Sequence, residues 1–103
     1  MAYSVYFSDK AKADLEQISD YIALDSPDRA QTFFDELESR AIDMLSAFPL
    51  TGRKFKDETR YFPIERYVVI YDVDEASEIV NVLHVVNSRW IGRNRGSRHD
   101  GRN

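Results

Sequence analysis

Hydrophobic positions at the start of the chain follow first a strand-like and then a helical spacing. Residues 3–7 are aromatic and β-branched, which predicts a short strand. Ser8 and Asp9 can cap the start of the helix that follows. One apolar face then recurs at helical spacing, at Leu15, Ile18 and Ile22. The charged residues of this segment are predicted on its other faces: Lys12, Asp14, Glu16 and Asp20. The pattern therefore predicts an amphipathic helix that ends near residue 24.

A second helix is predicted to begin after a very short turn. Ser26, Pro27 and Asp28 supply an N-cap, a proline suited to the first helical position and an acidic first turn. The apolar stripe that follows spans about five turns and consists of Ala30, Phe33, Phe34, Leu37, Ala41, Met44, Leu45 and Phe48. Because the linker is short, the two helices are predicted to form an antiparallel hairpin with this stripe in its core.

The segment 48–53 is predicted to end the second helix. Pro49 lacks an N–H donor, and Gly52 readily adopts a positive φ. Basic residues follow at once, namely Arg53, Lys54, Lys56 and Arg60. The chain therefore changes at this point from an acidic, helical half to a more basic half.

From residue 60 onward the hydrophobic spacing is typical of strands. Residues 61–62 predict a short strand limited by Pro63, and residues 67–73 predict a longer one. After a polar turn, residues 79–86 form the most continuous apolar run, interrupted by Asn81 and His84. Apolar side chains on both faces predict a central strand that is covered on each side. The predicted order is β-α-α-β-β-β.

The charge distribution limits the kinds of partner that the chain can bind. Residues 1–50 hold four basic and ten acidic residues, whereas residues 51–103 hold ten basic and eight acidic ones, so the net charge is −4. A protein that only binds nucleic acid is usually basic overall, so any surface directed at phosphate must be local. A solvated acidic face with a basic tail explains the same numbers equally well.

Length and composition exclude several classes of protein. A chain of 103 residues is one domain, here placed at residues 1–91, and the basic tail 92–103 is predicted to be disordered. Without cysteine there is no disulfide, zinc–thiolate site or thiol catalysis. No spacing matches a zinc, EF-hand or phosphate-loop motif, so no metal or cofactor is predicted. With no membrane-length apolar run and no signal-peptide profile, the chain is predicted to be soluble and cytoplasmic.

Several segments, in this order, resemble the ParE-type toxins of type II toxin–antitoxin systems, which belong to the RelE/ParE superfamily. These segments are residues 14–18, 21–23, 25–27, 48–53, 66–71 and 82–85. The resemblance covers about residues 3–90. It implies an α+β fold in which a helical hairpin packs on a small twisted antiparallel sheet. It also implies a cognate antitoxin whose C-terminal segment lies across the hairpin and the sheet edge.

The resemblance leaves two activities open. ParE-like members inhibit DNA gyrase by binding and need no catalytic residues, and this reading is favoured. RelE-like members are ribosome-dependent endoribonucleases, for which Arg60, His84 and Arg89 are the candidate catalytic residues here. Ribonucleases of the superfamily commonly carry a C-terminal tyrosine or histidine, and this tail offers His99 alone. A toxin that has lost its activity and is kept as a partner of its antitoxin is a third possibility.

Basic and aromatic residues of the second half are the candidates for contact with the antitoxin or the target. They are Arg53, Lys54, Lys56, Arg66, Trp90, Arg93 and Arg95. Each also has a simpler explanation, because the lysines and arginines can be solvated charges and Trp90 can close the end of the core. His84 lies in an apolar run and can equally be a histidine at the edge of the core.

Overall fold

The computed structural model describes residues 2–93 of the chain. Its elements are β1 (Ser4–Phe7), α1 (Asp9–Ala23), α2 (Pro27–Ala47), β2 (Arg53–Lys54), β3 (Arg60–Ile64), β4 (Tyr67–Asp74) and β5 (Ile79–Asn87). Residues 88–93 are helical. The predicted element order is confirmed, with the two-residue β2 added to it. The predicted tail 92–103 lies outside the described residues from position 94 onward. No helix within residues 2–93 combines the length and hydrophobicity needed to cross a bilayer.

Within the described chain, one five-stranded sheet carries the two helices on one face. The strand order is β1-β5-β4-β3-β2, and the pairs among β2, β3, β4 and β5 are antiparallel. The predicted fold is confirmed, but the sheet is mixed because β1 runs parallel to β5. Parallel pairing of this kind needs a long crossover connection, and the helical hairpin is part of it.

Both helices begin where the sequence predicts. The Oγ of Ser8 accepts a hydrogen bond from the backbone N of Ala11 at 3.0 Å. The Oγ of Ser26 accepts one from the backbone N of Arg29 at 3.2 Å, and Pro27 occupies the first helical position. Each cap satisfies a backbone donor that has no partner inside its helix.

The main core lies between the hairpin and the sheet, and it confirms most of the predicted helical stripe. Leu37 and Leu45 are buried against Leu15, with Phe33 and Phe34 partly buried beside them. The buried residues of this core are Ala11, Leu15, Leu37, Ala41, Leu45, Ile64, Val69, Tyr71, Val80, Val82 and Val85.

The prediction that Met44 and Phe48 belong to this core is wrong. Their exposed fractions are 37% and 62%. Leu45 carries the buried face in the last turns of α2, and Met44 is rotated from it by about 100° around the helix axis. Phe48 follows the last helical residue with φ −132°, so its side chain leaves the helical stripe.

β5 is a central strand, as predicted, but the prediction that both of its faces are covered is wrong. Val80, Val82 and Val85 are buried under the helices. On the opposite face a smaller cluster covers one end of the strand, near Val86, and His84 is exposed. The cluster consists of Tyr61, Val68, Ile70 and Ile91, with Phe55, Val86 and Trp90 packed against it. The helical residues 88–93 are too few to shield the rest of this face.

β3 continues through Pro63, which was predicted to limit it. Pro63 pairs with Val68 of β4, and the strand extends to Ile64. β2 pairs with Arg60 and Tyr61, so Pro63 lies where β3 has lost its outer neighbour. A proline is tolerated at such an edge because no ladder hydrogen bond is lost on that side.

Gly52 is held in place by contacts on both sides of its peptide backbone. Its N–H donates to the hydroxyl oxygen of Tyr71 at 2.8 Å, and its carbonyl accepts from Nη1 of Arg60 at 2.8 Å. Nη1 of Arg60 also donates to the carbonyl of Leu50 at 3.3 Å. The expectation of a positive φ at Gly52 is wrong, because no glycine within residues 2–93 has one. The closeness of Tyr71, rather than backbone freedom, is what requires glycine here.

The Tyr71 hydroxyl makes the stability of the fold sensitive to alkaline pH. Burial raises the pKa of Tyr71 above its ordinary value of 10.0, although the hydrogen bond from Gly52 and the charge of Arg60 oppose the rise. The unfolded chain therefore loses this proton before the folded chain does. The protonated Tyr71 hydroxyl therefore contributes its full stabilisation at pH values below the pKa of this group in the unfolded chain. That contribution is lost as the pH rises through the higher pKa of the folded chain.

We therefore expect the wild-type protein to lose more stability than Tyr71→Phe when the pH is raised above 10. Urea unfolding of both proteins at about pH 8 and about pH 11 measures the difference. Lysine titration affects the two proteins alike, so the comparison isolates Tyr71. Equal losses in the two proteins would contradict the argument.

Candidate functional site

The pairing of β5 with β1 ends at Val82, and beyond it a side chain of α1, rather than a strand, meets the outer side of β5. The carboxylate of Asp14 accepts a hydrogen bond from the backbone N of Val85 at 3.0 Å. It also forms an ion pair with Nζ of Lys10 at 2.9 Å. Asp14 is 8% exposed. Its predicted place on an outer face of the helix is therefore wrong. The signal was present in the sequence, since position 14 falls on the same helical face as Ala11 and Ile18.

A groove runs between α1 and the end of β5, and we call it the α1–β5 groove. Its volume is about 620 Å³, and it is lined by Asp14, Gln17, Ile18, Tyr21, Tyr67, Val85, Val86, Asn87, Arg89, Trp90 and Arg93. Tyr21 is 74% exposed, so an aromatic ring stands at the surface beside apolar side chains. Arg89, a candidate catalytic residue, and Trp90 and Arg93, candidate binding residues, all line this groove, whereas Asp14 and Tyr21 were not among the candidates from the sequence.

The α1–β5 groove is electrostatically positive at one end. The charge of Asp14 is balanced by Lys10. Arg89 and Arg93 take part in no ion pair within residues 2–93. Two arginines beside an apolar and aromatic lining suit a partner that carries carboxylates or phosphates next to hydrophobic groups.

Arg60 lines a different cavity, of about 280 Å³, together with Lys54. The other residues around it include the acidic side chains of Asp57, Glu58 and Glu75. Arg60 is already engaged with the carbonyl groups of residues 50 and 52. Its position is therefore explained by the turn that it holds.

A β-bulge decides where His84 points. Tyr71 pairs with Val82 and Ile70 pairs with His84, so Leu83 is an extra residue in β5. Strict alternation from Val82 would place His84 under the helices, but the bulge gives that position to Val85. His84 instead shares a face with Ile70, and its side chain is 46% exposed, with Nδ1 at 3.7 Å from Oδ2 of Asp14.

The structure does not gather the three candidate catalytic residues. Arg60 pairs with Tyr71, whose side chain lies on the helix-covered face, whereas His84 lies on the opposite face. Arg89 lines the α1–β5 groove, and His84 lines neither that groove nor the cavity of Arg60. Arg60 and His84 point to opposite faces of the sheet, so these two side chains cannot act on one phosphate at the same time.

The remaining candidate binding residues divide between several places. Trp90 is half-buried against the ring of Phe55, with ring centroids 6.0 Å apart, and Nζ of Lys56 lies 5.5 Å from the centre of the Phe55 ring. Arg53 and Arg66 are exposed and line neither of the two cavities. Arg95 lies outside the described residues. Within residues 2–93 no three histidine or carboxylate side chains come together as metal ligands.

A second exposed apolar surface includes Met44 and Phe48, which were predicted to lie in the core. Met44, Phe48 and Phe62 line a hollow of about 230 Å³ together with Arg40 and Asp43. Ile42 and Leu50 are also exposed large hydrophobic residues on the described chain.

Comparisons with known proteins agree with this architecture. The model of the family described as "ParE toxin of type II toxin-antitoxin system, parDE" matches residues 5–90. A chain from the chromosomal ParDE toxin–antitoxin system of P. aeruginosa is 22% identical. It aligns over 84% of this chain and 96% of its own length, with a TM-score of 0.71. Among curated protein sequences, none matches significantly.

Chains from toxin–antitoxin complexes of the RelBE type have the same fold as this chain. The RelBE2 complex of Mycobacterium tuberculosis contains a chain that is 23% identical, aligned over 84% of this chain and 92% of that one, with a TM-score of 0.67. For the intact E. coli RelBE complex the values are 17% identity, 84% and 98% coverage, and a TM-score of 0.59. At these identities the similarity establishes the fold alone.

Proposed function

The chain belongs to the ParE toxin family of type II toxin–antitoxin systems, and we propose that it inhibits DNA gyrase by binding and is neutralised by a cognate antitoxin. The match to the ParE family over residues 5–90 supports this assignment. The fold does not discriminate between targets, because ParDE and RelBE chains both share it. The choice between gyrase and the ribosome as the target therefore rests on where the candidate catalytic residues lie.

The separation of Arg60 from His84 is the observation that favours binding over RNA cleavage. Cleavage through the 2′-hydroxyl needs a base, an acid and cations around a single phosphate. Here Arg60 and His84 are on opposite faces of the sheet, and the guanidinium of Arg60 holds the turn at Gly52. A toxin that acts by occupying a surface of its target needs no such convergence.

The α1–β5 groove is the surface that we assign to the antitoxin. It lies between the hairpin and the sheet edge, where the neutralising segment of the antitoxin is expected. Its apolar lining and the arginines at positions 89 and 93 fit an amphipathic segment that carries acidic residues. Because these arginines are exposed, the affinity should fall as salt is added. Both partners would meet the chain in the cytoplasm.

The alternative function is a RelE-like endoribonuclease. The exposed His84, close to Asp14, is the observation that supports this alternative, since an imidazole can serve as a general acid or base. In that case a substrate-bound ribosome would have to supply the groups that the chain does not bring together.

Gyrase-dependent DNA breaks and ribosome-dependent mRNA cleavage, assayed side by side, distinguish the two functions. We expect the purified chain to cause DNA breaks with gyrase, to leave mRNA intact on ribosomes, and to lose its effect when the antitoxin is added. His84→Ala should retain full activity on gyrase, because His84 is exposed and lies outside the groove.

A different result would overturn the proposal. If mRNA is cut on ribosomes and His84→Ala abolishes the cutting while the melting temperature is unchanged, the chain is a ribonuclease. If neither assay responds although the antitoxin binds, the chain is a toxin without activity.

A further inference from the structure

The outer edge of β5 changes partners part of the way along the strand. β1 pairs with residues 79–82, and the backbone N of Ser8 donates to the carbonyl of Val82 at 2.9 Å. Beyond this point the edge has no strand beside it in the described chain. Unpaired N–H and C=O groups along a sheet edge are a template for pairing with another extended chain.

The side chains of Ser8, the N-cap of α1, and of Asp14 within α1 occupy the next positions along this edge. The Oγ of Ser8 donates to the carbonyl of Leu83 at 3.1 Å, and the carboxylate of Asp14 accepts from the N–H of Val85 at 3.0 Å. A serine and an aspartate thus take the places that the backbone of a sixth strand would fill.

The fold holds both side chains in position. Ser8 is the N-cap of α1, and its Oγ also accepts from the backbone N of Ala11. Asp14 is nearly buried, and Lys10, one turn earlier on the same helix, pairs with its second oxygen at 2.9 Å. A charge-assisted hydrogen bond of this kind is stronger than one between neutral groups.

We propose that Ser8 and Asp14 form a latch that closes residues 83–85 of β5 to strand addition and so prevents two copies of the chain from pairing through this edge. The second copy is the relevant partner, because it presents the identical edge and an isologous pair can form around a two-fold axis. The adjoining α1–β5 groove is open, so an approaching chain has access to the edge. This inference holds whether or not gyrase is the target.

Hydrogen exchange of the wild-type protein tests the latch without any substitution. The amide of Val85 should exchange as slowly as amides that are bonded within the strand pairs, although its N–H points away from β4, to the side of β5 where no strand of the described chain lies. Exchange of Val85 at the rate of an exposed loop amide would overturn the proposal.

A matched set of variants tests the consequence for self-association. Asp14→Ala should speed the exchange of the Val85 amide by about tenfold or more, which is the effect of losing one hydrogen bond to a charged group. It should also form dimers as its concentration is raised, as measured by size exclusion with light scattering. Asp14→Asn retains an acceptor oxygen and should stay monomeric, and Glu16→Ala, an exposed acidic residue of the same helix, should behave as wild type.

An Asp14→Ala protein that stays monomeric at all concentrations would overturn the proposal, as would equal association of the Glu16→Ala control. If Asp14→Ala does not fold, Ser8→Gly provides the test. Glycine is tolerated at the N-cap but cannot donate to Leu83. Dimers of Ser8→Gly that depend on concentration would support the latch, and a monomer throughout would contradict it.

Discussion

Replacing Leu37 with alanine is expected to lower the free energy of unfolding by about 2–5 kcal/mol. Leu37 is 2% exposed and lies in the main core between the hairpin and the sheet. Truncation removes apolar contacts and leaves a cavity that the flanking helix and strands cannot fully close. Urea unfolding followed by circular dichroism measures the change, and an unaltered slope shows that the transition remains two-state.

Ile42→Ala is the matched control for this prediction, because it lies on the same helix and is 39% exposed. Ile42→Ala should lower the free energy of unfolding by well under half as much as Leu37→Ala. Phe34, which is partly buried beside the core, should give an intermediate loss. Equal effects at positions 37 and 42 would show that this face of α2 does not carry the core.

The helical half of the fold could be predicted from the sequence because its signals are local. Ser8 and Ser26 cap helices that begin beside them, and the stripe that contains Leu37 needs nothing more than helical period. Met44 and Phe48 were assigned wrongly because period alone cannot show which part of a stripe reaches the sheet. That depends on packing between elements far apart in the sequence.

The sheet and its edges depend on pairings that no local pattern specifies. The bulge at Leu83 reverses the faces of His84 and Val85 relative to strict alternation. The parallel pairing of β1 leaves part of the β5 edge for Asp14 to close. An aspartate beside Leu15 on an apolar helical face was the available clue, but its partner lies 71 positions away in the sequence. For the same reason, the sequence could name Arg60, His84 and Arg89 as candidates but could not show that Arg60 and His84 lie on opposite faces of the sheet.

Gly52→Ala is expected to destabilise the protein by about 2–4 kcal/mol, from overpacking together with a weakened hydrogen bond. A Cβ at position 52 would lie 2.5 Å from the hydroxyl oxygen of Tyr71 and 2.7 Å from the backbone carbonyl oxygen of Tyr61. The carbonyl belongs to β3, which is paired on both sides at this point, so it cannot easily move away.

Gly92→Ala is the control, because a Cβ there would meet no atom within 4 Å and no stability should be lost.

The double variant Gly52→Ala/Tyr71→Phe separates the two contacts. Removing the hydroxyl relieves the closer contact, so Gly52→Ala should lower the stability less in the Tyr71→Phe background than in the wild type. Some stability should still be lost, because the carbonyl of Tyr61 remains. Thermal melts of the wild type, the three single variants and the double variant measure these differences, and an equal loss from Gly52→Ala in both backgrounds would show that Tyr71 does not set the requirement for glycine.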